Sequence, residues 1–169
     1  REPNFKSAWS AFALVVFLQM ALGAWTSSQY AGLACPDFPT CQGRYWVEMD
    51  SSIFDAPLVA GDEYLGGLLG MHQRMGIQWL HRLGAIAVVL MFFYLAFKQH
   101  RQRRSLNFVM ACLSLQIFIG ILNALLLLPL SLALLHNTMA MLLWLSSLNG
   151  MTSQLTENEK EVPTEELLA

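Results

Sequence analysis

The sequence predicts an all-α membrane protein, a four-transmembrane-helix bundle with one large outer loop. Three observations predict it. Of 169 residues, 55% are hydrophobic and 13% charged, about half the roughly 25% charge of a soluble domain. The charges are gathered in a few blocks. Between those blocks lie four stretches that reach the ~20 apolar residues needed to cross the hydrocarbon core. The net charge of −2, from ten basic and twelve acidic residues, gives no footprint for nucleic acid, so the expected surroundings are lipid.

The first span runs from about Ser7 to Thr26 and the second from about Ile77 to Phe97. The third covers about Asn107 to Leu128, where Pro129 stops it, and the fourth about Ser131 to Met151. None contains Asp, Glu or Lys; Arg82, near one end of the second, is the only formal charge. The first span lacks the strongly basic start of a secretory signal, and three more spans follow it. A chain beginning at Arg1 rather than Met is expected to be processed or cut from a longer precursor.

Short cytoplasmic loops collect Lys and Arg. The connection after the second span reads KQHRQRR, whereas the segment from about Ser27 to Gly76 sets Arg44 and Arg74 against Asp37, Glu48, Asp50, Asp55, Asp62 and Glu63. The long loop is therefore expected outside and both termini on the cytoplasmic or matrix side, in a prokaryotic plasma membrane or a mitochondrial inner membrane. Residues 1–151 form the membrane domain. The acidic tail, 152–169, is expected to be disordered or a loose docking segment. No internal repeat stands out.

An ionisable side chain within a span is costly and by default a functional hypothesis. His81 is about the fifth residue of the second span and His136 about the sixth of the fourth. Both spans run inward, so both imidazoles lie about 6–9 Å below the outer edge at ~1.5 Å per residue. Gly84 and Ala85 lie one turn from His81, and Ala133 and Ala140 one turn from His136. Such small residues leave grooves where a flat macrocycle lies against a helix, and His is a common haem-iron ligand. Arg82, beside His81, suits a propionate carboxylate. The plainer reading is that these are interhelical hydrogen-bonding histidines among ordinary small packing residues. His72 reads as a surface or interfacial residue and His100 as a solvated one.

The outer loop carries Cys35 and Cys41 around Pro36 and Pro39, which stiffen the intervening backbone. A structural disulfide is the plain reading in an oxidising compartment; a redox-active pair is the other. Too few ligands are present for zinc, and the C-x-x-C-H pattern of covalent haem attachment is absent. Cys112 reads as a packing residue. Trp25, Tyr30, Trp46 and Trp79 read as an interfacial aromatic belt.

The run GAWTSSQYAGLACPDFPTCQG, followed by IQWLHRLG and later LHNT, resembles the haem A synthase family. The resemblance extends from about Gly23 through the fourth span. It implies a protein usually made of two four-helix halves, each with a paired-histidine haem site near the outer face and a cysteine-bearing loop. One half oxidises a methyl group of haem O to the formyl of haem A; the other holds a b-type haem that passes electrons. On this resemblance His81 and His136 are the axial pair for haem iron, with Cys35 and Cys41 the loop cysteines.

Two positions depart from the pattern. Gln78 stands where the catalytic half has a glutamate, and an amide cannot carry a carboxylate's proton. Ser27 stands where the loop usually has arginine. The chain therefore resembles the haem b-binding C-terminal half, as part of a longer enzyme or as a subunit paired with another chain. Its expected role is electron relay for haem O oxidation. The alternatives are a non-catalytic cytochrome b-like subunit of a respiratory complex and a haem-free structural subunit.

Overall fold

The computed structural model describes residues 5–49, 51–54, 69–99 and 103–161. Four helices dominate it: α1 Phe5–Ser28, α2 Met71–Lys98, α3 Arg103–Leu125 and α4 Leu130–Glu161. Each is long and apolar enough to cross a membrane, as the sequence led us to expect. α1 lies between α2 and α4, α3 packs along α4, and α2 meets α3 at few points.

The helix ends follow from local chemistry. α3 closes in a Schellman arrangement: the Leu128 N–H donates to Asn123 O (2.8 Å) and the Leu127 N–H to Ala124 O (3.4 Å). Leu127 and Leu128 take left-handed backbone angles, φ 59° each, a strain of roughly 1–2 kcal/mol per residue without glycine. Pro129 then bars continuation and accepts the first bond of α4, from the Ala133 N–H at 3.0 Å.

Two boundaries differ from the sequence reading. α2 begins at Met71, six residues before the expected start, because its first turns rest on the loop rather than in lipid. Gly76 is buried, and a side chain there would meet Ile53 Cγ2 at 3.0 Å. The outer loop is correspondingly shorter. α4 continues past Met151 to Glu161, so the tail expected to be disordered is helical over its first ten residues. Residues 162–169, and most of the basic turn with His100, lie outside the described residues.

The core has three apolar parts, one of them a small cluster of Ala31, Ile53, Leu69 and Ile77 with Trp25 against it. The inner part joins Trp9, Phe12 and Val16 of α1 to Val88, Phe92 and Leu95 of α2, Val109, Cys112 and Leu113 of α3 and Leu143 of α4. Trp9 is fully buried against Gly150, where any Cβ would overlap the indole. The outer part packs Ala34, Cys35, Cys41 and Val47 of the loop on Met75 and Trp79 of α2. Cys112 is a buried free thiol in the inner core, as expected of a packing residue.

Candidate functional site

Gln19, His81, Gln116 and His136, from one helix each, meet in two polar pairs. Gln19 of α1 faces His81 of α2, with Gln19 Nε2 3.1 Å from His81 Nδ1. The same amide donates to the His81 main-chain oxygen at 2.9 Å. Gln116 of α3 faces His136 of α4, Nε2 to Nε2, at 3.1 Å. These four side chains, one pair to each helical hairpin, make up the polar tier.

Glycines admit both rings. A Cβ on Gly23 would sit 3.2 Å from His81 Cε1, and one on Gly120 3.0 Å from His136 Cε1. Any larger residue would push the imidazole away. Gly84, expected to open a groove beside His81, does something else: the space over it is filled by Gln19 and Leu22 of α1. The sequence reading missed Gln19, Gln116, Gly23 and Gly120. Their signal is a shared Leu-Gln-x-x-x-Gly, at Leu18–Gly23 and Leu115–Gly120, where no repeat was expected.

Arg82 reaches outward into the loop instead of offering its end to a carboxylate. Its Nη2 donates to Cys35 O (2.9 Å) and Asp37 O (2.9 Å), and its Nη1 to Thr40 O (2.6 Å) and Pro39 O (3.4 Å). The Phe38 ring lies 5.7 Å from the guanidinium carbon. Arg82, expected to suit a propionate, thus directs its four terminal N–H groups at loop carbonyls in this structure.

The loop holds itself in shape beneath that clamp. Cys35 and Cys41 are joined by a disulfide and fully buried. Cys41 and Arg44 exchange main-chain hydrogen bonds of 2.9 and 3.1 Å around Gln42 and Gly43, with φ of 50° and 75°. Both central residues of such a tight turn need positive φ, which glycine takes without strain. The Asp37 carboxylate accepts the N–H groups of Gln42 (2.6 Å) and Gly43 (2.9 Å) and the Thr40 hydroxyl. Desolvation raises its pKa, but these donors together outweigh it and hold the carboxyl at about 2. It is therefore ionised, and the turn supported, throughout the neutral range.

Gln78, one turn before His81, is buried with its Oε1 unpartnered. Trp79 is 9% exposed and packs edge-on to Trp46, ring centres 6.3 Å apart, while Trp46 is 65% exposed. Trp79, expected in an aromatic belt, is thus a core residue of α2 beneath the loop; Trp25 stacks on Phe54, ring centres 5.7 Å apart. His72 is exposed.

Among the described residues no group of three His, Cys, Asp or Glu gathers to hold a metal ion. Two imidazoles would supply two nitrogen ligands, the number needed to complete an iron held by the four nitrogens of a macrocycle. His136 Nδ1 and the Oε1 atoms of Gln19 and Gln116 are buried without partners. Such orphaned atoms call for an explanation, and a group that draws on the ring nitrogens would supply one. The residues of the tier fit a haem held by His81 and His136.

Residues 1–148 match the model of the cytochrome oxidase assembly protein family COX15-CtaA. The haem A synthase of Shewanella oneidensis is 35% identical over 136 residues, covering 78% of this chain and 41% of that protein. The haem A synthase of Neorickettsia sennetsu is 29% identical over 140 residues, 75% of this chain and 36% of that protein. That of Rickettsia akari is 28% identical over 134 residues, 76% and 36% respectively. The chain thus spans about two-fifths of the length of these relatives. No solved structure matches. With four spanning helices and this family match, the chain is a multi-pass integral membrane protein that belongs to the COX15-CtaA, or haem A synthase, family.

Proposed function

We propose that this chain is the b-haem half of a haem A synthase-type oxidoreductase, with His81 and His136 as axial ligands. Its haem relays electrons while haem O is oxidised to haem A on a second four-helix half. The observation that carries this reading is the polar tier, where two histidines from two helices are each held by a glutamine and admitted by a glycine. Bound haem b supplies a reversible one-electron iron couple. The chain's own residues orient it: the glutamines fix the imidazoles, and the loop, clamped by Arg82, closes the outer side. Gln78 is the reason for assigning oxidation elsewhere. It lies one turn from His81, and its amide neither takes up nor releases a proton at working pH. The same residue favours the second reading, a cytochrome b-like electron-transfer subunit of a respiratory complex.

The test is reconstitution. The chain alone, given haem O and a reductant, is expected to form no haem A, and formation of haem A would show that it is catalytic by itself. Co-purification of a half carrying the missing Glu-x-x-His-Arg pattern, with haem A formed by the pair, supports the synthase reading; a pair that binds haem but forms none supports the cytochrome.

The proposed orientation places the disulfide loop outside and both termini in the cytoplasm or matrix, from the basic run after α2 against the acidic loop. In intact cells a membrane-impermeant thiol reagent is expected to label Ser51→Cys and spare Ser105→Cys. The reverse pattern would invert the topology.

A further inference from the structure

The polar tier is built twice. Leu18-Gln19-x-x-x-Gly23 lies in α1 and Leu115-Gln116-x-x-x-Gly120 in α3. Residues four apart share a helix face, so each glutamine and its glycine address the same neighbour. In each case that neighbour is the histidine of the following helix, whose ring meets the amide at 3.1 Å and the glycine through Cε1. The connections differ greatly, since glutamine and histidine stand 62 residues apart in one hairpin and 20 in the other. Two hairpins of unlike loops therefore arrive at related devices, the amide meeting Nδ1 of His81 in one and Nε2 of His136 in the other.

We propose that Gln19 and Gln116 are positioning residues that hold one nitrogen of each histidine and so set the orientation and basicity of the other toward iron. The proposal rests on the reading of His81 and His136 as axial ligands. A neutral imidazole has one N–H and one lone pair. Ligation uses the lone pair, so the remaining nitrogen carries the proton and requires an acceptor. A glutamine amide serves both states: its NH2 donates to a bare nitrogen, and turned over, its Oε1 accepts from an N–H.

The Oε1 atoms of both glutamines are buried and unpartnered, as is His136 Nδ1. Three unsatisfied atoms in one tier match a site whose protons are redistributed when the ligand binds. Turning Gln19 over exchanges its 2.9 Å bond to His81 O for one to the ring N–H. An acceptor on the second nitrogen raises the basicity of the ligand, which favours ferric iron. Leucine at these positions offers no acceptor, and glutamate offers a stronger one.

The experiment uses the haem-loaded chain, with midpoint potential and low-spin electron paramagnetic resonance as readouts. Gln19→Leu and Gln116→Leu are each expected to raise the potential, and Gln19→Glu and Gln116→Glu to lower it, with haem still six-coordinate. Potentials that are unchanged, or that move the same way for Leu and Glu at one site, overturn the proposal. A purely structural role moves both variants alike. If a leucine variant fails to accumulate, the glutamate variant alone decides: a lowered potential supports the proposal, and an unchanged or raised one overturns it. Wild-type chain that holds no six-coordinate haem defeats the ligand reading itself. That result is distinct from a wild type that holds haem and ignores the glutamines.

Discussion

His81→Ala and His136→Ala are each expected to abolish the low-spin, six-coordinate spectrum of the haem-loaded chain. Each imidazole is the tier's only strong nitrogen ligand on its helix, since Gln19, Gln78 and Gln116 offer amides. Removing one leaves at best a five-coordinate, high-spin iron; removing both is expected to leave the chain without haem. The loss is not collapse of the fold, because the inner core and the loop core lie to either side of the tier and share neither histidine. Alanine at position 136 leaves the Gln116 amide without its partner, a cost of about 1–3 kcal/mol. Gln19 keeps its bond to the main-chain oxygen of residue 81, so stability should fall modestly while the spectrum changes completely. His72→Ala, at an exposed position, is the control and should leave the spectrum intact. An unchanged six-coordinate spectrum in either tier variant would remove that residue from the ligand set.

Arg82→Gln is expected to release the disulfide loop from α2. The guanidinium holds four main-chain carbonyls across residues 35–40, and hydrogen bonds to a charged group contribute about 1.5–3 kcal/mol each. Sharing among four acceptors and access to water reduce the sum, leaving a loss on the order of 3 kcal/mol. Lysine should rescue poorly, because a point charge on a flexible stem cannot reproduce a planar fork. Limited proteolysis of the loop, together with reduction of Cys35–Cys41 by a mild thiol, measures the effect. Loop protection equal to wild type in Arg82→Gln would show that the disulfide and the Asp37 turn suffice alone. Replacing both cysteines by serine should weaken the loop while leaving haem coordination six-coordinate, because neither sulfur lies in the tier.

The parts legible in the sequence are those with a signature along the chain. Four apolar stretches free of Asp, Glu and Lys, with Pro129 between the last two, marked the four helices, and counting inward from the expected outer edge assigned His81 and His136 similar depths. The Cys35–Cys41 spacing around two prolines announced the compact loop. What escaped notice depends on contacts between distant segments. Gln19 and Gln116 are unremarkable polar residues until α1 is laid on α2 and α3 on α4. Gly84 is as small as Gly23, and only packing shows that one receives α1 while the other admits an imidazole. The loop contacts of Arg82 were hidden because its partners are main-chain carbonyls, which every residue has and no sequence pattern marks. The early start of α2 was hidden because MHQRMG is too polar for lipid, although the loop supplies the apolar cover that membrane would otherwise give.

The sparse meeting of α2 and α3 gives the bundle a spine and an open edge. α1 binds both α2 and α4, so the two hairpins are joined like the covers of a book along α1 and α4, while α2 and α3 form the margins. Spreading those margins disrupts less packing than parting any other neighbours, and slow breathing of the molecule is concentrated where the fewest contacts resist it. The path of least resistance to the tier therefore runs sideways, through the plane of the bilayer.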